Sequence, residues 1–253
     1  MKKINSGVLL IIAMGVVFLM SCGDDNTKSI TIAPGQIDVS ILAEKFYSGA
    51  TTVAISESTI TITSTGEPDH KSMYWSTNNA LYENYDEPDN ADFNRNPNDI
   101  SAQNYEFKIP RYPAEASVKS TTSLGAMGVS LNGVPFFNQN AGPGDDILEE
   151  LNTFDQYEGH PQQTGQYHYH IEPLYLTETL GNDIFLGFLL DGFPVYGPVE
   201  GGVTLTNDDL DDYHGHTSVT TDFPDGIYHY HITSELPWIN GDGFFGAAGT
   251  VTN

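Results

Sequence analysis

Apolar and polar residues alternate with period two through Val53 to Thr65, VAISESTITITST, around Ile60 and Ile62. That spacing sends successive side chains to opposite faces of an extended chain, so strands are predicted there. Tyr105 to Pro110, YEFKIP, predicts another. Gly66 to Trp75, GEPDHKSMYW, breaks the alternation, and residues 76–104 are rich in Asn, Asp and Pro with little periodicity. They predict a long surface loop or insertion. Gly144 to Thr153, GDDILEELNT, is the best short helix candidate, with acids in the first turn where the helix dipole favours them. No other long helical pattern stands out. The chain reads as all-β with few short helices, a barrel- or sandwich-like domain.

Three blocks then recur in the same order. GVSLNGVPFF (Gly128 to Phe137) matches GFLLDGFPVY (Gly187 to Tyr196); DQYEGH (Asp155 to His160) matches DDYHGH (Asp211 to His216); and GQYHYHI, from Gly165, matches GIYHYHI, from Gly226. The offsets of 59, 56 and 61 residues differ only by small loop changes. Ordered recurrence of this kind marks a tandem duplication with a pseudo-twofold relation. The repeats span about 125–171 and 184–232 within a single domain of residues 36–253. Asn132-Gly133 and Asp191-Gly192, each between apolar runs, predict two-residue type I′ hairpins. Pro135 and Pro194 just beyond predict edge or bulged strands.

The doubled Tyr-His-Tyr-His strings change the picture from fold to chemistry. On a strand, His168 and His170 share one face while Tyr167 and Tyr169 share the other; His229 with His231, and Tyr228 with Tyr230, do the same. Two histidines at i and i+2 lie about 6.6 Å apart along a strand, close enough for their rings to converge on one ion. His160 and His216, at Gly-His corners after a loop, are positioned to add a third imidazole. Seven of the eight histidines fall in the duplicated region. Neutral imidazole suits zinc, copper, iron and nickel, and three protein ligands with a fourth position open is a catalytic zinc pattern. The candidate ligands are therefore His160, His168, His170, His216, His229 and His231, as two mononuclear sites or one shared cluster. Copper or zinc is the expected ion. Asp155 and Asp211 are candidate acceptors for the ligands' N–H groups. His70 is a possible extra ligand from outside the repeat, or a plain loop histidine. The competing reading makes the histidines packing residues of a duplicated core.

Other chemistry finds little support. No phosphate loop, HExxH or G-x-S-x-G occurs. Thr206 to Asp212, TNDDLDD, lacks the spaced ligands of a calcium loop and reads as an acidic surface. With 34 acidic against 9 basic residues the net charge is −25. Such a surface repels nucleic acid and anionic headgroups, so no nucleic-acid partner is expected.

The N-terminus reads as a targeting segment: Lys2 and Lys3, an apolar run from Val8 to Met20, then Leu19-Met20-Ser21-Cys22, which resembles a bacterial lipobox. The apolar run is short for a membrane span. Cys22 is the sole cysteine, so it is the candidate lipidation site, with 1–21 a lipoprotein signal peptide and 22–35 a tether. The alternative is an ordinary cleaved signal. Loss of Lys2 and Lys3, with no acid removed alongside them, takes the charge from −25 to −27. With Cys22 lipidated, no thiol is left for a disulfide or a metal. The expected location is the cell envelope, anchored by lipid to the outer membrane. Gly23-Asp24-Asp25 resembles the acidic export tags of some surface lipoproteins.

Taken together, the doubled Tyr-His-Tyr-His, the paired G-x-x-L-[N/D]-G-x-P blocks, the Gly-His corners and Glu67-Pro68-Asp69-His70 resemble the YHYH domain family over roughly residues 50–246. The resemblance implies a bacterial envelope or secreted protein and supplies no activity. Members of the family often carry a Cys near each Gly-His corner. Here Tyr157 and Tyr213 occupy those segments, which leaves a histidine-only site. Three functions follow: a metal-binding envelope lipoprotein, a metal-dependent hydrolase or oxidase with an open coordination position, or a structural or adhesion module.

Overall fold

The computed structural model describes residues 36–88 and 90–253; the signal segment, the tether and Cys22 lie outside the described residues. Among the described residues no helix is long and apolar enough to cross a membrane. One antiparallel sheet contains β1 (Thr51–Ile55), β2 (Thr59–Ser64), β3 (Tyr105–Pro110) and β14 (Thr250–Thr252), in the order β1-β2-β3-β14. The period-two pattern is the cause. Ile60 and Ile62 point inward opposite Ile109 and Phe107, and the intervening threonines stay partly exposed. Among the described residues, 76–104 form no strand.

The second sheet holds the duplication. It contains β4 (Ala126–Ser130), β5 (Pro135–Phe137), β6 (Gly159–Pro161), β7 (Tyr167–Tyr169), β8 (Phe185–Leu189), β9 (Pro194–Tyr196), β12 (Gly215–Ser218) and β13 (Ile227–His231). Their order is β12-β13-β9-β8-β4-β5-β7-β6. Each half repeats one scheme: a hairpin (β4-β5, β8-β9), a parallel step to the Tyr-His strand (β5-β7, β9-β13), and an antiparallel Gly-His strand at the edge (β6, β12). At the centre, β4 pairs with β8, and Val129 lies opposite Phe188, its own counterpart 59 residues on. The pseudo-twofold therefore passes between those two residues. Neither sheet closes into a barrel, and one hydrophobic cluster, including Ile62, Phe107, Val129, Phe136, Phe188 and Val195, takes in residues of both. The arrangement is sandwich-like. Central β8 is buried along its whole length, because both faces are covered.

Several local expectations need correction. Asn132 and Asp191 do not take positive φ; only Gly133 (83°) and Gly192 (84°) do. The turns close by Gly133 N–H to Ser130 C=O (2.9 Å) and Gly192 N–H to Leu189 C=O (3.0 Å). These are longer hairpins ending in a left-handed glycine rather than type I′ turns. The physical reason is that both polar side chains are fully buried and used inside. Pro135 and Pro194 head interior strands, not edge ones, and the ladder of each carries a β-bulge, between Ala126 and Gly128 and between Phe185 and Gly187; the prolines are tolerated because each is the first residue of its strand. The helix expected over 144–153 is reduced to α1 (Ile147–Glu150), capped by the Asp146 carboxylate on Leu148 N–H (3.0 Å), and a 3-10 turn after it. A second short helix, α2 (Leu174–Leu180), and a two-strand ladder of β10 (Val199–Glu200) with β11 (Val203–Thr204) carried no sequence signal.

Candidate metal centres

The two faces of each Tyr-His strand do different work. On the tyrosine face the D-x-Y-x-G-H block forms a loop tied by its aspartate. Asp155 accepts from the amides of Tyr157 (3.0 Å) and Gly159 (3.4 Å), and Asp211 accepts from those of Tyr213 (2.9 Å) and Gly215 (3.2 Å). Each also accepts from a strand tyrosine, Tyr167 (2.9 Å) and Tyr228 (3.0 Å) respectively. The glycine is required because a Cβ at 159 or 215 would stand 2.4 or 2.5 Å from that tyrosine's hydroxyl oxygen. Asp155 and Asp211 therefore do not act as acceptors for the ligands' N–H groups; they sit behind the strand and anchor its phenols. His70 is also behind it. Its Nδ1 faces the Lys71 carbonyl (2.8 Å), so Nδ1 bears the proton and Nε2 accepts from the Tyr169 hydroxyl (2.9 Å). Its lone pair is used, which removes it as an extra ligand.

On the histidine face three imidazoles meet in each half. His160 lies directly opposite His168 across β6-β7, and His216 opposite His229 across β12-β13. The third imidazole thus comes from a paired neighbouring strand, not a swinging loop. In the first half His168 Nε2 is 3.1 Å from His160 Nε2 and 3.0 Å from His170 Nε2. The other ring nitrogens assign the tautomers. His168 Nδ1 faces the Gln166 carbonyl (2.9 Å) and His170 Nδ1 the Asn138 carbonyl (2.5 Å), both pure acceptors. His160 Nδ1 faces Thr153 Oγ1 (2.6 Å), whose hydroxyl donates to the Glu150 carbonyl (2.8 Å). All three Nδ1 atoms therefore carry protons, and three bare Nε2 lone pairs face one another. That is repulsive unless a cation lies between them. Tetrahedral coordination with metal–nitrogen bonds of 2.0–2.1 Å would space the nitrogens by about 3.3 Å, close to what is found.

The second half repeats this for its two strand histidines. His229 Nδ1 faces the Ile227 carbonyl (2.9 Å) and His231 Nδ1 the Gly197 carbonyl (2.8 Å). Nε2 of His216, His229 and His231 is buried without a hydrogen-bond partner. Buried polar atoms are rarely left so, and three converging orphans in one place call for a ligand.

Each trio also has a carboxylate that sequence reasoning missed. Glu150 Oε2 lies 3.6 Å from both His160 and His170 Nε2. Glu200 Oε2 lies 3.3 Å from His216, and its Oε1 lies 3.4 Å from His229 and 3.9 Å from His231. Both occupy the connection between the second hairpin strand and the Gly-His strand, but Glu150 ends α1 and Glu200 ends β10. The one available signal was an acid on the same connection in both repeats, 10 and 16 residues before the Gly-His histidine. The histidine-only set is thus corrected in the second half, where Glu200 joins the three imidazoles, while in the first the close set is His160, His168 and His170 with Glu150 standing beside it.

Burial sets the protonation. It pushes His160 and His168 well below the usual imidazole range, His170 and His231 down to about 4, and lowers His229. Burial raises Glu150. Glu200 ends lowered: burial pushes it up, but the Ser218 hydroxyl and the three imidazoles outweigh that. The five lowered imidazoles are neutral lone-pair donors, the form that binds metals. They form two separate groups rather than one shared cluster. The strands β7 and β13 are five steps apart in the sheet, on the order of 24 Å at ~4.8 Å per step. Groups able to hold a metal ion are thus present in both halves, three buried histidines in the first and three histidines with Glu200 in the second.

No curated protein and no solved structure matches the chain. The family model described as YHYH protein matches residues 106–204 and 202–242. Those ranges cover more than half of the 253 residues and include both histidine trios, and the chain belongs to the YHYH protein family.

Proposed function

We propose that this protein is a lipid-anchored envelope protein that binds two transition-metal ions, copper or zinc, one in each repeat. The observation that carries the reading is the convergence of three bare Nε2 lone pairs in a buried site, that of His168 lying 3.1 and 3.0 Å from those of His160 and His170, matched by three orphaned Nε2 atoms in the other repeat. Packing histidines would spend those atoms on donors, as His70 does on Tyr169. The donor set of imidazole and carboxylate, without sulfur, suits these ions.

Elemental analysis tests the metal. The mature chain lacking Cys22, purified without chelator or affinity histidines, is expected to carry two equivalents, one for each trio. His168→Ala with His170→Ala should remove one equivalent, and adding His229→Ala with His231→Ala should remove both. A chain that stays metal-free after reconstitution would make the doubled motif a packing device. Anchoring has its own test. The lipobox-like LMSC at residues 19–22 supports it, and Cys22→Ser should move the protein from the membrane to the soluble fraction. Undiminished membrane retention of that variant would end the lipoprotein reading.

A further inference from the structure

We propose that the two centres are chemically unequal. The second is closed by four protein donors, whereas the first keeps a coordination position open to a cleft and takes a small exogenous ligand there. This rests on the metal-binding reading above and adds which centre is reactive.

Geometry separates them. In the second centre, ligand atoms of Glu200, His216, His229 and His231 all lie within 4.8 Å of one another. Four such donors complete a tetrahedral shell, the signature of a structural centre. Glu200 is fixed for this role: it pairs with Val203 across the β10-β11 ladder and accepts from the Ser218 hydroxyl on β12. In the first centre the equivalent close set is His160, His168 and His170 alone. Glu150 reaches two of the three imidazoles at 3.6 Å and stands beside the trio rather than closing it.

Access differs in the same sense. All three imidazoles of the first centre, with Glu150, line a cleft of ≈ 590 Å³. The cleft at the second centre, ≈ 410 Å³, is lined by His229 and His231 but not His216, with Glu200 in its wall. Three protein ligands beneath an open cleft leave a fourth position for an exogenous donor. The volume lies in the range that holds a small molecule. The first cleft is lined by amides such as Asn140, Gln162 and Gln163 and by the carboxyl groups of Asp145 and Glu150, and by no Lys or Arg. It offers no cationic clamp for a phosphate or polyanion. Its ligand is a small neutral or monoanionic donor that binds the ion directly.

Cobalt(II) with azide as the probe tests this. The mature chain should take up two equivalents of cobalt, and azide should change the visible absorption of one. The change should vanish in His168→Ala and persist in His229→Ala. In Glu200→Ala, which removes the closing donor without disturbing the first trio, the azide-dependent change should double. A response from both centres, from neither, or one retained in His168→Ala would overturn the proposal. So would a Glu200→Ala response equal to that of the unmodified chain, and this variant decides the matter if His168→Ala does not fold. Failure to bind cobalt at all would instead overturn the metal-binding reading.

Discussion

Chelation of the metal-loaded protein at neutral pH should lower its Tm by about 8–16 °C for each centre. An ion present at ~1,000 times its Kd stabilises the folded state by about 4 kcal/mol, and 1 kcal/mol shifts a domain of this size by about 2–4 °C. The physical source is the same in both halves. Without an ion, bare imidazole lone pairs face one another at 3.0–3.1 Å in one centre and stand orphaned in the other. The metal-free form should also be acid-sensitive. Burial lowers His70, His170, His214 and His231 to about 4, and lowers His160, His168 and His229 as well. A histidine whose folded pKa is depressed contributes stability above about 6.5 that is lost as pH falls toward 4. Asp155 and Asp191, raised to about 6, and Glu158, raised to about 7, act oppositely. Their contribution is present at low pH and lost as pH rises through those values. Glu150, also raised, joins them. Seven lowered imidazoles outnumber four raised carboxyls, so the metal-free protein should melt at a lower temperature at pH 5 than at pH 7. Thermal melts of loaded and chelated protein at both values check this. An unchanged Tm on chelation at pH 7 would make the histidines structural.

Asp191→Ala should be the most damaging single change on the opposite face of the sheet. Asp191 is fully buried and accepts from the Tyr230 hydroxyl (2.6 Å), the Gly246 amide (2.9 Å) and the Phe193 amide (3.2 Å). Alanine leaves three buried donors without a partner, at 1–3 kcal/mol each before relaxation, so a loss of about 3–5 kcal/mol is expected. That corresponds to a Tm drop of roughly 6–20 °C. Asp191→Asn should cost far less, because it keeps an acceptor oxygen. The other repeat already has Asn132 at this position, where the amide donates to the Tyr169 hydroxyl (3.2 Å) and that hydroxyl donates to His70. Denaturant unfolding of both variants, with metal content as a control, separates this from the metal centres. Equal losses for Ala and Asn would mean that the full carboxylate, with both acceptor oxygens, is needed, because Asn keeps the shape and one acceptor but not the second. The metal content of Asp191→Asn should stay at that of the unmodified chain, since Asp191 belongs to the tyrosine face.

By itself the sequence determined the β character, the duplication and the identity of the six histidines. Period-two burial at Ile60 and Ile62, and alternation within Tyr-His-Tyr-His, are local properties of an extended chain, so they are readable without a fold. Duplication made the signal stronger, because a block kept twice in order stands out against its neighbours. Only the tertiary structure decided which partners those residues meet. Glu150 and Glu200 come to the two trios from a helix end and a two-residue strand, so no shared motif announces them. Asp155, Asp211 and His70 looked like members of the metal site and belong to the tyrosine face, because a strand separates side chains one residue apart by its full thickness. The parallel steps β5-β7 and β9-β13 place the two trios at opposite ends of one sheet. That separation turns six histidines into two centres, and such long-range pairing is set by the packing of the whole domain rather than by any local run of residues.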